Sequence, residues 1–285
     1  MDIMDKRMDM APWELDDEGV LHINANVDYY SRESPAPWFS MRGRIKKLNI
    51  SDSVTKIGRY AFYKCIALES VTIPASVTQI EEGAFGRCTA LESVVLPSTV
   101  TALAEGIFAR CKALKSVSLA DTVTAIGDSA FFGCESLESI SLPDSVKEIG
   151  SYCFDGCTAL ASLRLSENLS EISDRAFHGC AALESLSIPD SVTKLGAYVF
   201  SGCASLKDVS IPATIKEIGC CSFDGCIALE SVLIPASVEK IDAYAFYKCS
   251  ALEKLLYTGT PEQWNSISIG SSNEAINSAQ IVFNS

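Results

Sequence analysis

Apolar positions along this chain of 285 residues recur with a period of 23. Phe62, Phe85, Phe108, Phe131, Phe154, Phe177, Phe200, Phe223 and Phe246 form one column. A cysteine follows each Phe by three positions, from Cys65 to Cys249, and a leucine follows each cysteine by three more, from Leu68 to Leu252. Two further columns are aliphatic with small substitutions, one running from Val71 to Leu255 and the other from Ile57 to Ile241. Inside one unit the apolar residues keep a helical period for only a few positions, which excludes a long helix. A fixed period of this length marks stacked units, each burying its apolar faces against its neighbours.

The stretch Leu-x-Ser-Val-x-Ile alternates apolar and polar residues over the length of a strand, and Pro74, Pro97, Pro143, Pro189, Pro212 or Pro235 ends most copies by removing a backbone donor. A second extended run, Ser-Val-Thr-x-Ile-Gly, closes on Gly58, Gly127, Gly150, Gly196 or Gly219, read as turn formers. The following Ala-Phe-x-x-Cys suits one turn of tight helix. The expected fold is therefore a repeat solenoid, a right-handed coil of the leucine-rich-repeat type. One face is a parallel β-sheet, short turns and helical turns make up the rest, and a cap closes each end. At roughly 4.8 Å between neighbouring strands, nine coils make a rod on the order of 43 Å long.

Departures from the period delimit four regions: a leader segment over 1–10, an amino-terminal cap over 11–47, nine 23-residue repeats over 48–257 and a carboxy-terminal cap over 258–285. Trp13, Trp38 and Trp264 all lie outside the repeats, where large rings can cover the exposed ends of the core columns.

Lys and Arg number 23 against 36 Asp and Glu, a formal charge of -13. That balance repels a phosphate backbone and speaks against a nucleic-acid partner. No stretch reaches the roughly 20 continuous apolar residues of a membrane span, so no membrane insertion is expected. Met1 to Met10 is charged and lacks the apolar centre of a signal peptide.

Written as Ile-Pro-x-Ser-Val-Thr-x-Ile-Gly-x-x-Ala-Phe-x-x-Cys-x-x-Leu-x-Ser-Val-x-Ile, the unit resembles the BspA-like leucine-rich repeat family over residues 48–257. The stretches Trp13 to Ile23 and Ala36 to Phe39 resemble that family's first cap, and Thr258 to Phe283 its last. The resemblance implies a bacterial or protozoan surface protein that adheres to proteins of a host or a neighbouring cell. It implies a cell-surface or secreted location, although no signal peptide is visible here and a cytoplasmic one stays open. It carries no shared catalytic residues.

Candidate chemistry is sparse, and no catalytic, cofactor or metal residue is assigned. Nine of the twelve cysteines form a straight column that does not converge on one point as metal ligands must, so they are read as buried small hydrophobes with free thiols. Only Cys153, Cys220 and Cys221 lie outside it. The two histidines, His22 and His178, lack a recruited nucleophile.

The outward strand positions remain. A serine column is flanked by a mostly acidic ridge containing Glu69, Glu92, Glu138, Glu184, Glu230 and Glu253, and on its other side by a column that includes Arg164, Leu233 and Leu256. These nine residues are the candidate contacts for a protein partner, centred on the two leucines, with a plain solubilising surface as the competing reading. A second candidate is aromatic, Tyr60 with Tyr63 and Tyr244 with Tyr247, read as packing against the caps. The chain is expected to be a monomer that binds protein without catalysis, a structural spacer or intracellular scaffold being the alternative.

Overall fold

The computed structural model describes residues 11–28, 30–31 and 34–283, so the segment read as a leader lies outside it. The chain winds into a solenoid of about eleven turns. In a representative coil, strand Ser70–Thr72 leads into a tight turn in which Val77 N donates to Pro74 O at 3.0 Å, and strand Gln79–Ile80 follows. Successive turns through Phe85, Cys88 and Leu91 then bring the chain back to strand Ser93–Val95. Equivalent strands pair in parallel at a register of one repeat, as Val71 opposite Val94 and Ile126 opposite Ile149.

The return segment differs from the expected turn of helix. It is a run of separate i to i+3 turns, because the chain passes through the left-handed region twice per coil, for example at Gly83 (φ 60°) and Arg87 (φ 61°). A left-handed residue every fourth position stops helical hydrogen bonding from propagating. The glycines taken as turn formers also act otherwise. Gly150 and Gly196 lie outside the left-handed region, but a Cβ on either would sit 2.4 Å and 2.5 Å from the backbone nitrogens of Asp128 and Asp174 in the preceding coil. Close approach of backbones, not turn conformation, requires glycine there.

The core is a set of columns. All nine Phe side chains are fully buried, and their rings stack with centroids 5.2–5.8 Å apart and planes within 7–22°. All twelve cysteines are free. The column thiols do more than fill space: Cys88 Sγ donates to Phe62 O at 3.1 Å and Cys134 Sγ to Phe108 O at 3.2 Å, each tying a coil to the one before. Burial pushes the Cys203 and Cys249 thiols up to about 12, which keeps them protonated as donors to Phe177 O and Phe223 O.

Both ends continue the ladders. Strand Val20–Ile23 is covered by the antiparallel strand Trp13–Leu15 and pairs in parallel with Lys47–Ile50. Trp38 closes the Phe column, stacking on Phe62 at 5.7 Å while its indole N–H donates to Ala61 O at 2.9 Å. At the other end, helix Pro261–Ser266 starts on a capping box between Thr260 and Gln263, and strands Ser268–Ile269 and Gln280–Phe283 extend the two ladders. Trp264 packs edge-on against Tyr257 at 5.1 Å and so does not cover the Phe column. Asn273 takes part of that role: its side-chain oxygen accepts from Phe246 N at 2.9 Å and its amide donates to Asp242 O and Gly270 O at 2.9 Å. Among the described residues no helix is long and apolar enough to cross a membrane.

Candidate functional site

Six of the main strands have an exposed-buried-exposed pattern, so one side chain enters the core and its two neighbours face solvent. Stacking turns those neighbours into continuous columns. Ser70, Ser93, Ser116, Ser139, Ser162 and Ser185 stand exposed in line, and the Asp208 carboxylate accepts from Ser231 Oγ further along. The hydroxyls leave this face low and open.

The ridge residues Glu69, Glu92, Glu138, Glu184, Glu230 and Glu253 are all exposed. Lys115 neutralises Glu92 at 3.0 Å and Lys207 neutralises Glu184 at 2.9 Å, and hydrogen bonding to that carboxylate raises the lysine's pKa. Glu69, Glu138, Glu230 and Glu253 have no ion-pair partner among the described residues. The ridge's unbalanced charge therefore lies partly at the carboxy-terminal end, beside the leucines.

Arg164 is not a free cation. It grips both Asp144 oxygens, at 2.9 and 3.1 Å, and donates to Leu142 O at 3.0 Å. The Asp144 carboxyl is held below its usual range, first by the Glu167 backbone N–H and then by Arg164. This arm lies across the face and lines one shallow depression of about 440 Å³ with Ser116, Ser118 and Leu119.

A second depression, of about 580 Å³, contains Leu233 and Leu256 at one end and Ser187, Ser210, Asp208 and Ser231 along its floor and side. The leucines are in register on adjacent strands and half-buried by each other, more sheltered than an isolated surface leucine. Leu256 is in turn opposite Val282 on the last strand, so the apolar strip spans three strands. The repeat pattern missed Val282 because the cap advances by 26 residues instead of 23, and Leu256 plus that step would have located it.

The aromatic candidates divide. Tyr60 and Tyr63 pack edge-on against each other at 5.5 Å and face the amino-terminal cap across a pocket that they line with Tyr30 and Phe39. Tyr244 and Tyr247 instead stand 43% and 37% exposed, although Tyr244 N donates to Ser271 O of the last cap at 2.9 Å. His178 pairs through Nδ1 with Asp155 at 3.0 Å, and Ser201 occupies the same position one coil further on. No hydrogen bond joins His178 to Ser201, so the row holds an acid and a base without an engaged nucleophile. His22 bridges Asp16 and Asn49. Among the described residues no group of three or more His, Cys, Asp or Glu side chains is arranged to hold a metal.

The BspA type leucine rich repeat region model matches six copies, over residues 35–140 and 124–253. The chain belongs to the BspA-type leucine-rich repeat family. Its fold is similar to that of a leucine-rich repeat protein from Eubacterium ventriosum at 21% identity and a TM-score of 0.54, covering 92% of this chain and 91% of that one. A leucine rich cell surface protein from Faecalibacterium prausnitzii is 27% identical, with 90% of this chain and 95% of that chain covered and a TM-score of 0.44. The T. pallidum leucine rich repeat protein is 36% identical over 62% of this chain and 72% of its own, with a TM-score of 0.49. No curated protein matches significantly. Leucine-rich repeats of this kind generally serve as protein-interaction scaffolds, which suits a BspA-type chain whose accessible face is an open sheet.

Proposed function

We propose that this BspA-type solenoid is a non-catalytic protein-binding module of the cell surface, engaging its partner through the strand face at the carboxy-terminal end. The observation that carries the reading is the strip of Leu233, Leu256 and Val282 beside the unpaired carboxylates of Glu230 and Glu253. An apolar strip rimmed by charge is the usual anatomy of an interface, and the acidic rim favours a partner with a complementary basic border. Glu69, Glu92, Glu138 and Glu184 extend the rim along the rod, and Arg164 shapes the floor through Asp144. Adhesion to another cell's protein is the finer part of this reading and is supported by membership of the BspA-type family.

The test is capture of surface proteins from candidate host or neighbouring cells at physiological salt, comparing the chain with a Leu233→Glu, Leu256→Glu variant. A partner retained by the first and lost by the second, with both folded by circular dichroism, supports the reading. Retention by both places the site elsewhere. Capture of no partner from any source leaves the spacer alternative ahead.

A further inference from the structure

A second surface lies away from the strand face, where the return turns of the first coils meet the amino-terminal cap. Tyr30, Pro35, Ala36 and Phe39 from the cap and Tyr60, Tyr63 and Lys64 from the first coil enclose a pocket of about 460 Å³, with Arg87 of the next coil at its margin. This volume falls within the range of ligand-binding clefts, and its walls combine rings with cations. Arg87, Tyr60 and Tyr63 also line a second depression of about 220 Å³ that continues toward Arg110.

Lys64, Arg87 and Arg110 occupy one column in three successive coils of a protein whose net charge is -13. None of the three makes an ion pair among the described residues. All three adopt a left-handed backbone, at φ 62°, 61° and 62°. The next five coils place Gly133, Gly156, Gly179, Gly202 and Gly225 at this position, where glycine avoids the steric cost of a side chain. The fold therefore accepts glycine in this column, and these three coils bear long cations there against the local preference. The nearby carboxylate of Glu82 is already committed to Arg59 and the Tyr60 hydroxyl, while Glu105 lines the far depression.

We propose that this pocket binds an acidic peptide segment of a partner protein, seating an aromatic side chain among Tyr30, Phe39 and Tyr63 and its flanking carboxylates against Lys64 and Arg87. The paired features, an aromatic-walled cleft and adjoining cations that make no ion pair among the described residues, match an aromatic residue bracketed by acids. Continuity into the second depression suits an extended segment over a compact ion. The inference shares with the proposed function only the premise that the partner is a protein, and the two sites are separable.

The experiment uses the full chain and a fluorescein-labelled Glu-Tyr-Glu-Tyr-Glu peptide, followed by anisotropy at 50 and 200 mM NaCl, with Gln-Tyr-Gln-Tyr-Gln as the neutral probe. Saturable binding of the acidic probe that weakens with salt and exceeds the neutral probe by tenfold or more is expected. The Lys64→Gly, Arg87→Gly variant, which places glycine where five coils already have it, should lose at least tenfold. Lys248→Gly, a change in the same column at the far end, should bind like the parent. The Leu233→Glu, Leu256→Glu variant should also bind fully, which separates this site from the strand face. Absence of binding, equal binding of the neutral peptide, or unchanged binding by the double glycine variant each overturns the proposal. So does equal displacement of the probe by an oligogalacturonate of the same charge, since the pocket would then read anions and not peptide.

Discussion

Trp38 tests the capping of the solenoid most directly. Its side chain is 3% exposed, stacks on Phe62, meets Trp13 and Tyr30 edge-on at 5.8 and 5.9 Å, and satisfies Ala61 O. Trp38→Ala should destabilise the amino-terminal coils by about 3–5 kcal/mol, the range for removing a buried large ring. Trp38→Phe keeps the stacking but orphans the Ala61 carbonyl, and about 1–2 kcal/mol is expected from the lost hydrogen bond and the smaller ring. Because each coil touches only its neighbours, the loss should stay local. Urea unfolding is followed by fluorescence in two backgrounds: Trp264→Phe, which keeps tryptophan only in the amino-terminal cap, and Trp13→Phe with Trp38→Phe as the reference for Trp38→Ala, which keeps only Trp264. In the Trp38→Ala protein the Trp13 transition should move by the full amount, and the Trp264 transition by less than about 1 kcal/mol. Equal movement of both transitions would refute local coupling, and no movement of either would refute the capping role.

The remaining predictions concern the thiols and the other cap. In the native protein at pH 8 alkylation should reach Cys220 first and slowly, since it is partly exposed and its thiol is pushed up to about 11, mainly by burial. Thiol titration of the unfolded, unreduced chain should find nearly all twelve cysteines free, and extensive pairing would sink the hydrogen-bonded-column account of Cys88 and its equivalents. Cys134→Ala should cost about 1–3 kcal/mol, measured by urea unfolding, because it removes the donor to Phe108 O and leaves a small void. Deleting residues 258–285 removes Asn273 and the two strands that extend the ladders, so self-association is expected by light scattering. A monomer after that deletion would count against capping.

The period of 23 by itself determined most of this protein. Repetition of Phe62, Cys65, Leu68 and Val71 at a constant step forces like residues into register, and a chain that buries its faces only by stacking has one way to satisfy all columns at once. The strand positions, the parallel pairing and the outward columns of serine and glutamate follow from that step and from alternation along a strand. What depends on close approach between coils was decided by tertiary structure alone. Gly150 and Gly156 are the same letter, yet one is required by a neighbouring backbone and the other by a left-handed φ of 74°. The Cys88 thiol looked like a small hydrophobe until the Phe62 carbonyl stood beside it, and Arg164 was one more outward side chain in its column until Asp144 held it. The caps escaped the pattern for the same reason: Val282, Asn273 and the pocket at Tyr30 and Lys64 lie where the step changes, and their partners come from contacts across that change.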